Sequence, residues 1–418
     1  MTGHLTLEGK FITHEKEFDG RVLINQTTGL IESIGPKQGS SDVETGGRLI
    51  FDGFGDLHVH AREDASQSQS YKETFRTASE AAIHGGVTFF ADMPNNPVAP
   101  TNDERYREKQ KLADSSLVPV VLYAGIGPKT RPLSFPAPYK VFMGPSIGDL
   151  FFVSQKELEE VIAEYRGQNV SFHSEDPGIL KIHEKEATHE LRRPPEAEIR
   201  AIEFALDLIE KYDLQGKICH ASTLLGIQRV IAAKKRGVRV TCEITPHHLY
   251  FDTTMINDAN RVWLQMNPAL RTSPADRTEL IALLRNGSID YLATDHAPHT
   301  KEEKLKGISG VPHLDTYGPF VTWLMKQHNF TPQDIARVCS YNPGNFVKPY
   351  LPKTYGKGFG KIEEGYYGSF TILNPDQPIT IQEKDLKTKC GWSPFEGTTF
   401  PGRVTHTVVG GKVYTDTR

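Results

Sequence analysis

The chain has only four cysteines in 418 residues, Cys219, Cys242, Cys339 and Cys390, and no two of them have CxxC spacing. That argues against a disulfide framework and a thiolate zinc site, and it fits a reducing, cytoplasmic setting. No apolar run approaches the ~20 residues of a membrane span, so no membrane partner is expected. The first ten residues, Met-Thr-Gly-His-Leu-Thr-Leu-Glu-Gly-Lys, lack the apolar core of a secretory leader. Neither sign of charge dominates, since the net charge is −4, and without a basic excess no nucleic-acid partner is expected. Short repeats and low-complexity tracts are missing too. The length leaves room for a large core and two domains of ~100–200 residues each, such as a barrel of ~250 residues with a smaller companion.

What is present is an alternation. Apolar, β-branched runs at Gly86–Ala91, Val118–Tyr123, Tyr139–Met143, Val170–His173, Lys217–His220 and Val238–Cys242 are interleaved with amphipathic stretches. Gln155–Tyr165, Glu196–Tyr212 and Pro274–Leu284 read as helices. Strand–helix alternation predicts an α/β fold with a parallel sheet, and this many units predicts a TIM-like (β/α)8 barrel over residues 51–363. The ends read differently. His4–Leu7, Arg21–Ile24, Ser369–Leu373 and Val404–Val409 are strand-like, and Gly410-Gly411 is a hairpin turn. Residues 1–50 and 364–418 are therefore expected to combine into one small β-sandwich domain. Lys301–Lys306, charged and followed by Gly307, reads as a mobile loop rather than a helix.

The most informative stretch is Asp56-Leu-His-Val-His60-Ala-Arg62. On a strand, residues i and i+2 share a face. His58 and His60 then project side by side, which suits two imidazole ligands on one metal ion. Arg62, just beyond, suits an anionic substrate group beside that metal. Catalytic side chains of such barrels sit at the C-terminal ends of strands, and the other strand candidates also end in polar chemistry. Asp92-Met-Pro-Asn-Asn96 follows Gly86–Ala91, and Lys140 lies inside the apolar run Tyr139–Gly144. His173 and His220 each end a run. Thr245-Pro-His-His248 and Asp295-His-Ala-Pro-His299 follow two more. One histidine at a strand end is usually a hydrogen-bonded structural residue, and His247 and His248 are read so. Four histidines, an aspartate and an apolar-flanked lysine at successive strand ends are harder to explain by packing. Buried polar groups need partners, and a shared metal centre supplies them.

These motifs carry a resemblance. The chain resembles the amidohydrolase superfamily and, within it, the dihydroorotases, nearly end to end. The likeness runs from Phe54-Gly-Asp-Leu-His-Val-His60 through Gly85-Gly-Val-Thr-Phe-Phe-Ala-Asp-Met-Pro-Asn95, Asn267-Pro-Ala-Leu-Arg271 and Ala293-Thr-Asp-His-Ala-Pro-His299. It ends at Gly391-Trp-Ser-Pro-Phe395 and Val408-Val-Gly-Gly-Lys412. It implies reversible cyclisation of N-carbamoyl-L-aspartate to L-dihydroorotate in pyrimidine biosynthesis, at two zinc ions with a bridging hydroxide. It also implies that His58, His60 and Asp295 hold one zinc, that His173 and His220 hold the other, and that Asp295 is the general base and acid.

A lysine ammonium cannot ligate a metal, but its amine can take up carbon dioxide to give a carbamate with two oxygens. Carbamylated Lys140 is the candidate bridge, weighed against a lysine that snorkels to solvent. Some dihydroorotases bridge with an aspartate instead; Asp149 lies well past the strand and is no convincing equivalent. The implied substrate contacts are Arg62, Asn95 and His299 at a carboxylate and Asn267 at the ureido edge. The loop Gly307–Pro312, including Val311 and Pro312, would cover the ring. A small-molecule substrate, a homodimer and association with aspartate transcarbamoylase complete the implied partners.

The chain departs from the family pattern after His60, where Ala61-Arg62-Glu63-Asp64-Ala65 replaces the usual Leu-Arg-Glu-Pro-Gly, and at Phe51-Asp52-Gly53 in place of Leu-Pro-Gly. These changes bear on substrate fit rather than on the metal ligands. Two competing readings stand beside this one. A hydantoinase, dihydropyrimidinase or allantoinase shares the fold and metals but takes a ring without the carboxylate that Arg62 suits. A non-catalytic scaffold would be expected to have lost metal ligands.

Overall fold

The computed structural model describes residues 3–415 apart from 40, 44, 145–149 and 153. In chain order, the first strands are β1 (His4–Ile12), β2 (Glu17–Asn25), β3 (Leu30–Gly35) and β4 (Leu49–Asp52). The central strands are β5 (Phe54–Val59), β6 (Val87–Asp92), β7 (Val120–Leu122), β8 (Ala124–Ile126), β9 (Tyr139–Phe142), β10 (Asn169–His173), β11 (Gln215–Ile218), β12 (Val240–Ile244) and β13 (Tyr291–Leu292). The last are β14 (Phe370–Asn374), β15 (Ile379–Thr380), β16 (Thr399–Phe400), β17 (Arg403–Val409) and β18 (Lys412–Thr415).

Strands β5 to β13 form the barrel. β5, β6 and β7 pair in parallel as one group, and β8 to β13 as another. β7 and β8 are two halves of one bent strand. Between them, the Tyr123 N–H donates back to the Asp92 carbonyl at 3.0 Å and the Ala124 N–H donates forward to the Pro138 carbonyl at 2.9 Å. The ring closes between β5 and the segment after β13. There Val59 bridges His296, and the His60 N–H donates to the His296 carbonyl at 2.8 Å. β5, β6 and β9 are buried along their whole length. Helices cover the outside of a parallel barrel and side chains fill the inside, so its strands read as near-continuous apolar runs.

The helix Pro195–Lys211 shows how the outer layer is specified. Proline opens it, at a position whose N–H has no intrahelical partner. Ala197, Ala201, Ile202, Ala205, Leu208 and Ile209 recur at helical spacing on its buried face. Each fully buried isoleucine or leucine there stabilises the fold by about 1.5–3 kcal/mol. A charge at Ile202 would break the contact.

Both ends of the chain share one seven-stranded sheet, in the order β18-β17-β14-β4-β1-β2-β3. β1 and β4 pair in parallel and the other neighbours are antiparallel. Its core comprises Leu7, Phe11, Val22, Ile24, Ile50, Phe370, Ile372 and Val408. The β17–β18 turn is Gly410-Gly411, with φ of 55° and 81°, a conformation that glycine adopts without penalty. The architecture is thus a TIM-like barrel with a small terminal β domain. No helix among the described residues is long and apolar enough to cross a membrane.

One expectation is corrected. Lys301–Leu305 is a helix, not a mobile loop. Thr300 and Glu303 form a capping box, in which the Thr300 side chain accepts the Glu303 N–H and the Glu303 side chain accepts the Thr300 N–H. Lys304 on its inner face is buried. Five residues are too few for helical periodicity to show in sequence.

Candidate metal centre and substrate pocket

The C-terminal ends of the barrel strands open into a cavity of about 420 Å³. His58 and His60 leave the end of β5 on one face, with ring centroids 5.3 Å apart. Their Nε2 atoms both face Asp295 Oδ1, at 3.3 and 3.1 Å. His173 ends β10, and its Nδ1 lies 2.9 Å from Nε2 of His220, which follows β11. The His58 and His220 rings, 5.1 Å apart, join the two groups. His58, His220 and Asp295 each offer a ligand atom within 4.8 Å of the others. Burial pushes the His58 imidazole down to about 3 and holds His60, His173 and His220 below their ordinary value. The rings therefore stay neutral and keep a lone pair. Burial also raises the Asp295 carboxyl well above the usual range, opposed by the nearby Lys140 and Arg62 charges. Three neutral imidazoles, His58, His60 and His220, gathered about the Asp295 carboxylate, with His173 against His220, form a donor set that suits divalent cations.

Lys140 lies on β9, fully buried. Its Nζ finds no hydrogen-bond partner among the described residues, and the Phe142 ring centroid is 5.2 Å away. A buried ammonium without an acceptor is costly. An amine converted to a carbamate is instead an anion with two oxygens, suited to adjoining cations. Asp149, the aspartate weighed against it, lies outside the described residues.

Three site residues hold a left-handed backbone, Arg62 at φ 60°, His220 at 34° and Asp295 at 48°. Each such conformation costs on the order of 1–3 kcal/mol and persists only where its surroundings hold it. Asp92 accepts the Ala61 N–H at 2.8 Å, beside Arg62. Asp56 accepts the His58 N–H at 3.0 Å and the Thr294 N–H at 3.1 Å, tying Asp295's neighbour to β5. Glu243 accepts the His220 N–H at 3.2 Å.

Behind the histidines stand two buried carboxylates. Glu243 Oε1 meets His58 Nδ1, and its Oε2 accepts from Lys217 Nζ at 2.5 Å. Glu243 and Lys217 are both fully buried. Glu175 meets His173 Nε2 at 3.2 Å and pairs with Arg193 and Arg271. A carboxylate on one ring nitrogen fixes the tautomer and turns the other nitrogen to a metal. For His58 that leaves Nε2, the atom facing Asp295.

The far side of the cavity is cationic. Arg62 Nη2 donates to His299 Nε2 at 3.2 Å. His299 Nδ1 then carries its proton and donates to Glu303 Oε2 at 3.1 Å. Lys72 and Tyr71 complete the set at 3.0 and 2.6 Å from Glu303 Oε1. Burial pulls the Arg62 guanidinium down to about 10, which leaves it charged at neutral pH. Asn95 and Asn267 line the same cavity, as do Gly307, Ile308, Ser309 and Gly310. Val311 and Pro312 do not line it; Val311 pairs with His296 behind the wall. His248 bonds the Thr245 hydroxyl and the Pro268 carbonyl, and His247 bonds His313.

Sequence reading missed Glu175, Lys217, Glu243, Lys72 and Glu303. A signal existed for some of them. Glu175 stands two residues after His173, and Lys217 and Glu243 are charges inside otherwise apolar strands. Their partners were not legible, because Arg271 lies 96 residues from Glu175 and Glu243 lies 185 from His58.

The amidohydrolase family profile matches residues 49–414. A dihydroorotase of Pyrococcus furiosus is 32% identical, over 98% of this chain and 92% of its own. The dihydroorotase of Thermococcus kodakarensis is 34% identical, over 98% and 94%. Among solved structures, an L-hydantoinase (dihydropyrimidinase) from Arthrobacter aurescens superposes with a TM-score of 0.86 at 23% identity, covering 97% of this chain and 94% of that one. A dihydropyrimidinase from Brevibacillus agri superposes with a TM-score of 0.84 at 19% identity, covering 99% and 95%. Those two likenesses speak to the fold. The chain belongs to the amidohydrolase family, and the sequence relatives compared with it within that family are dihydroorotases.

Proposed function

We propose that this protein is a dihydroorotase, interconverting N-carbamoyl-L-aspartate and L-dihydroorotate in pyrimidine synthesis. One observation carries the reading. A single cavity joins the histidine–aspartate cluster to a corner built of Arg62 and His299, which suits a ring that brings its own carboxylate. Near full-length likeness to dihydroorotases supports it.

In this reading His58, His60 and Asp295 would hold one zinc ion and His173 and His220 a second, with carbamylated Lys140 as a further anionic ligand. When bound, such metals supply Lewis acidity and make water acidic enough to react at neutral pH. The remaining work belongs to side chains. Asp295 takes the proton of the attacking water and delivers it to the ring nitrogen as the carbon–nitrogen bond breaks; in cyclisation it takes that proton back. Arg62 binds the carboxylate, with Asn95 and His299 beside it; His299, its Nδ1–H on Glu303, accepts from Arg62 at Nε2 and so orients the guanidinium. Asn267 meets the ureido edge. The 307–310 backbone, with Val311 and Pro312 behind it, keeps water from the ring. The same reading has the enzyme in the cytoplasm as a homodimer, associated with aspartate transcarbamoylase. Residues 1–50 with 364–418 then form one domain and residues 51–363 the other.

The test is turnover of zinc-loaded protein on L-dihydroorotate, beside dihydrouracil, hydantoin and allantoin. Selective opening of dihydroorotate is expected. Activity on neutral rings alone would keep the metal reading and overturn the substrate.

A further inference from the structure

The helix Lys301–Leu305 sends two adjacent charges to different places. Glu303 serves the anion corner through His299. Lys304 is fully buried, with no carboxylate paired to it among the described residues. Its ammonium donates to three backbone carbonyls instead, Gln265 at 2.7 Å, Ile308 at 3.0 Å and Gly310 at 3.0 Å. An ammonium has three hydrogens and accepts nothing, so this set is saturated.

Two of those carbonyls belong to the 307–310 loop that lines the cavity. The third belongs to Gln265, which is knitted to the same loop. Its side-chain amide donates to the Gly307 carbonyl and lies 3.2 Å from the Ser309 hydroxyl, and its carbonyl accepts the Gly310 N–H at 3.0 Å. The loop is sharply bent, with Gly307 at φ 78° and Gly310 at φ 133°. A Cβ at Gly310 would come within 2.6 Å of the Ala297 carbonyl oxygen. One buried cation thus holds this backbone from beneath. Burying that cation is costly, as the amine pushed down to about 7 shows. An apolar side chain of the same length would avoid the cost of the charge, but it would leave those carbonyls without this donor and lose the contact of the ammonium with the Trp392 ring.

We propose that Lys304 is a positioning residue for substrate recognition: it holds the 307–310 backbone against the cavity while Glu303, on the same turn, sets His299, so that one five-residue helix positions both the covering loop and the carboxylate grip. The inference rests on reading the cavity as the dihydroorotate site.

The experiment uses zinc-loaded full-length protein and Lys304→Met. Hydrogen exchange of the peptide spanning residues 307–312 is expected to quicken by about tenfold or more, since hydrogen bonds to a charged donor are lost. KM for L-dihydroorotate should rise by about tenfold or more with kcat little changed, and zinc content should stay at the wild-type level. Gln265→Ala removes only the side-chain bonds to Gly307 and Ser309, should shift exchange and KM the same way by less, and carries the test should Lys304→Met fail to fold. Wild-type exchange and KM in a folded variant would overturn the proposal, as would a fall in kcat at constant KM. If the wild-type protein does not open dihydroorotate at all, the functional reading fails, while the exchange measurement still decides whether Lys304 holds the loop.

Discussion

Replacing Lys217 by methionine tests how the metal side of the barrel is held. The Lys217 ammonium and the Glu243 carboxylate are both fully buried and 2.5 Å apart. Burial works against both charges, and each partner overcomes it for the other, raising the lysine and lowering the glutamate. The ammonium also sits 5.3 Å from the Tyr123 ring and 5.2 Å from the Phe346 ring, with no water-facing escape. Removing one member of such a pair typically costs about 3–5 kcal/mol, because the other charge stays buried. Lys217→Met should therefore lower unfolding stability by about that much. Measuring urea midpoints in chelator removes metal linkage from the comparison. The double variant with Glu243→Gln removes both charges and should recover most of the loss, since replacing a whole buried pair is often near neutral. It should not recover metal affinity. His58 Nδ1 then faces an amide instead of a carboxylate, and losing such a partner weakens metal binding by about 10–100-fold. A Lys217→Met variant within about 1 kcal/mol of wild type, or a double variant as unstable as the single, would refute this account.

Lys140→Ala should lose metal, with partial rescue by small carboxylic acids, as metal analysis and turnover would show; a fully metallated, active variant would argue against the carbamate. Arg62→Gln should reduce kcat/KM on L-dihydroorotate by about ten- to a hundredfold while leaving zinc content alone, the loss expected when a charged hydrogen-bond donor is removed; an unchanged kcat/KM would take Arg62 away from the carboxylate. Acid should destabilise the fold through His189, which donates Nε2–H to the Met266 carbonyl as a neutral ring and which burial pushes down to about 4. The unfolded chain binds that proton near 6.5, so stability is intact above that pH and falls as pH drops toward 4, by up to about 3 kcal/mol. His189→Gln should flatten that stretch of the pH–stability curve, and an unaltered curve would remove His189 as its cause.

Legibility in the sequence followed range. His58 and His60 could be placed on one face because strand periodicity is local, and the 5.3 Å ring separation agrees. Arg62 could be put at the cavity from its offset alone, but not its left-handed backbone, which depends on Asp92 holding Ala61 from 31 residues away. Four of the terminal β strands, β1, β2, β14 and β17, were recognisable one by one. Their joint sheet needed β4 to pair with β1 on one side and β14 on the other, a registration no local pattern specifies. The Lys301–Leu305 helix was missed for the opposite reason. Its signal is a capping box, which is local, but its charges suggested solvent while Lys304 turns inward to three carbonyls.

Three of the residues that were missed, Glu175, Lys217 and Glu243, share a physical logic. His58 and His173 each lean on a buried carboxylate, and each carboxylate is neutralised by cations from elsewhere in the barrel, Lys217 in one case and Arg193 with Arg271 in the other. Without those cations the carboxylates would favour imidazolium, which offers no lone pair to a metal. With them, the rings remain neutral and oriented. A cluster of histidines in a sequence therefore marks where a metal could bind, but whether the rings stay neutral is decided by charges that the fold brings in from distant strands and loops.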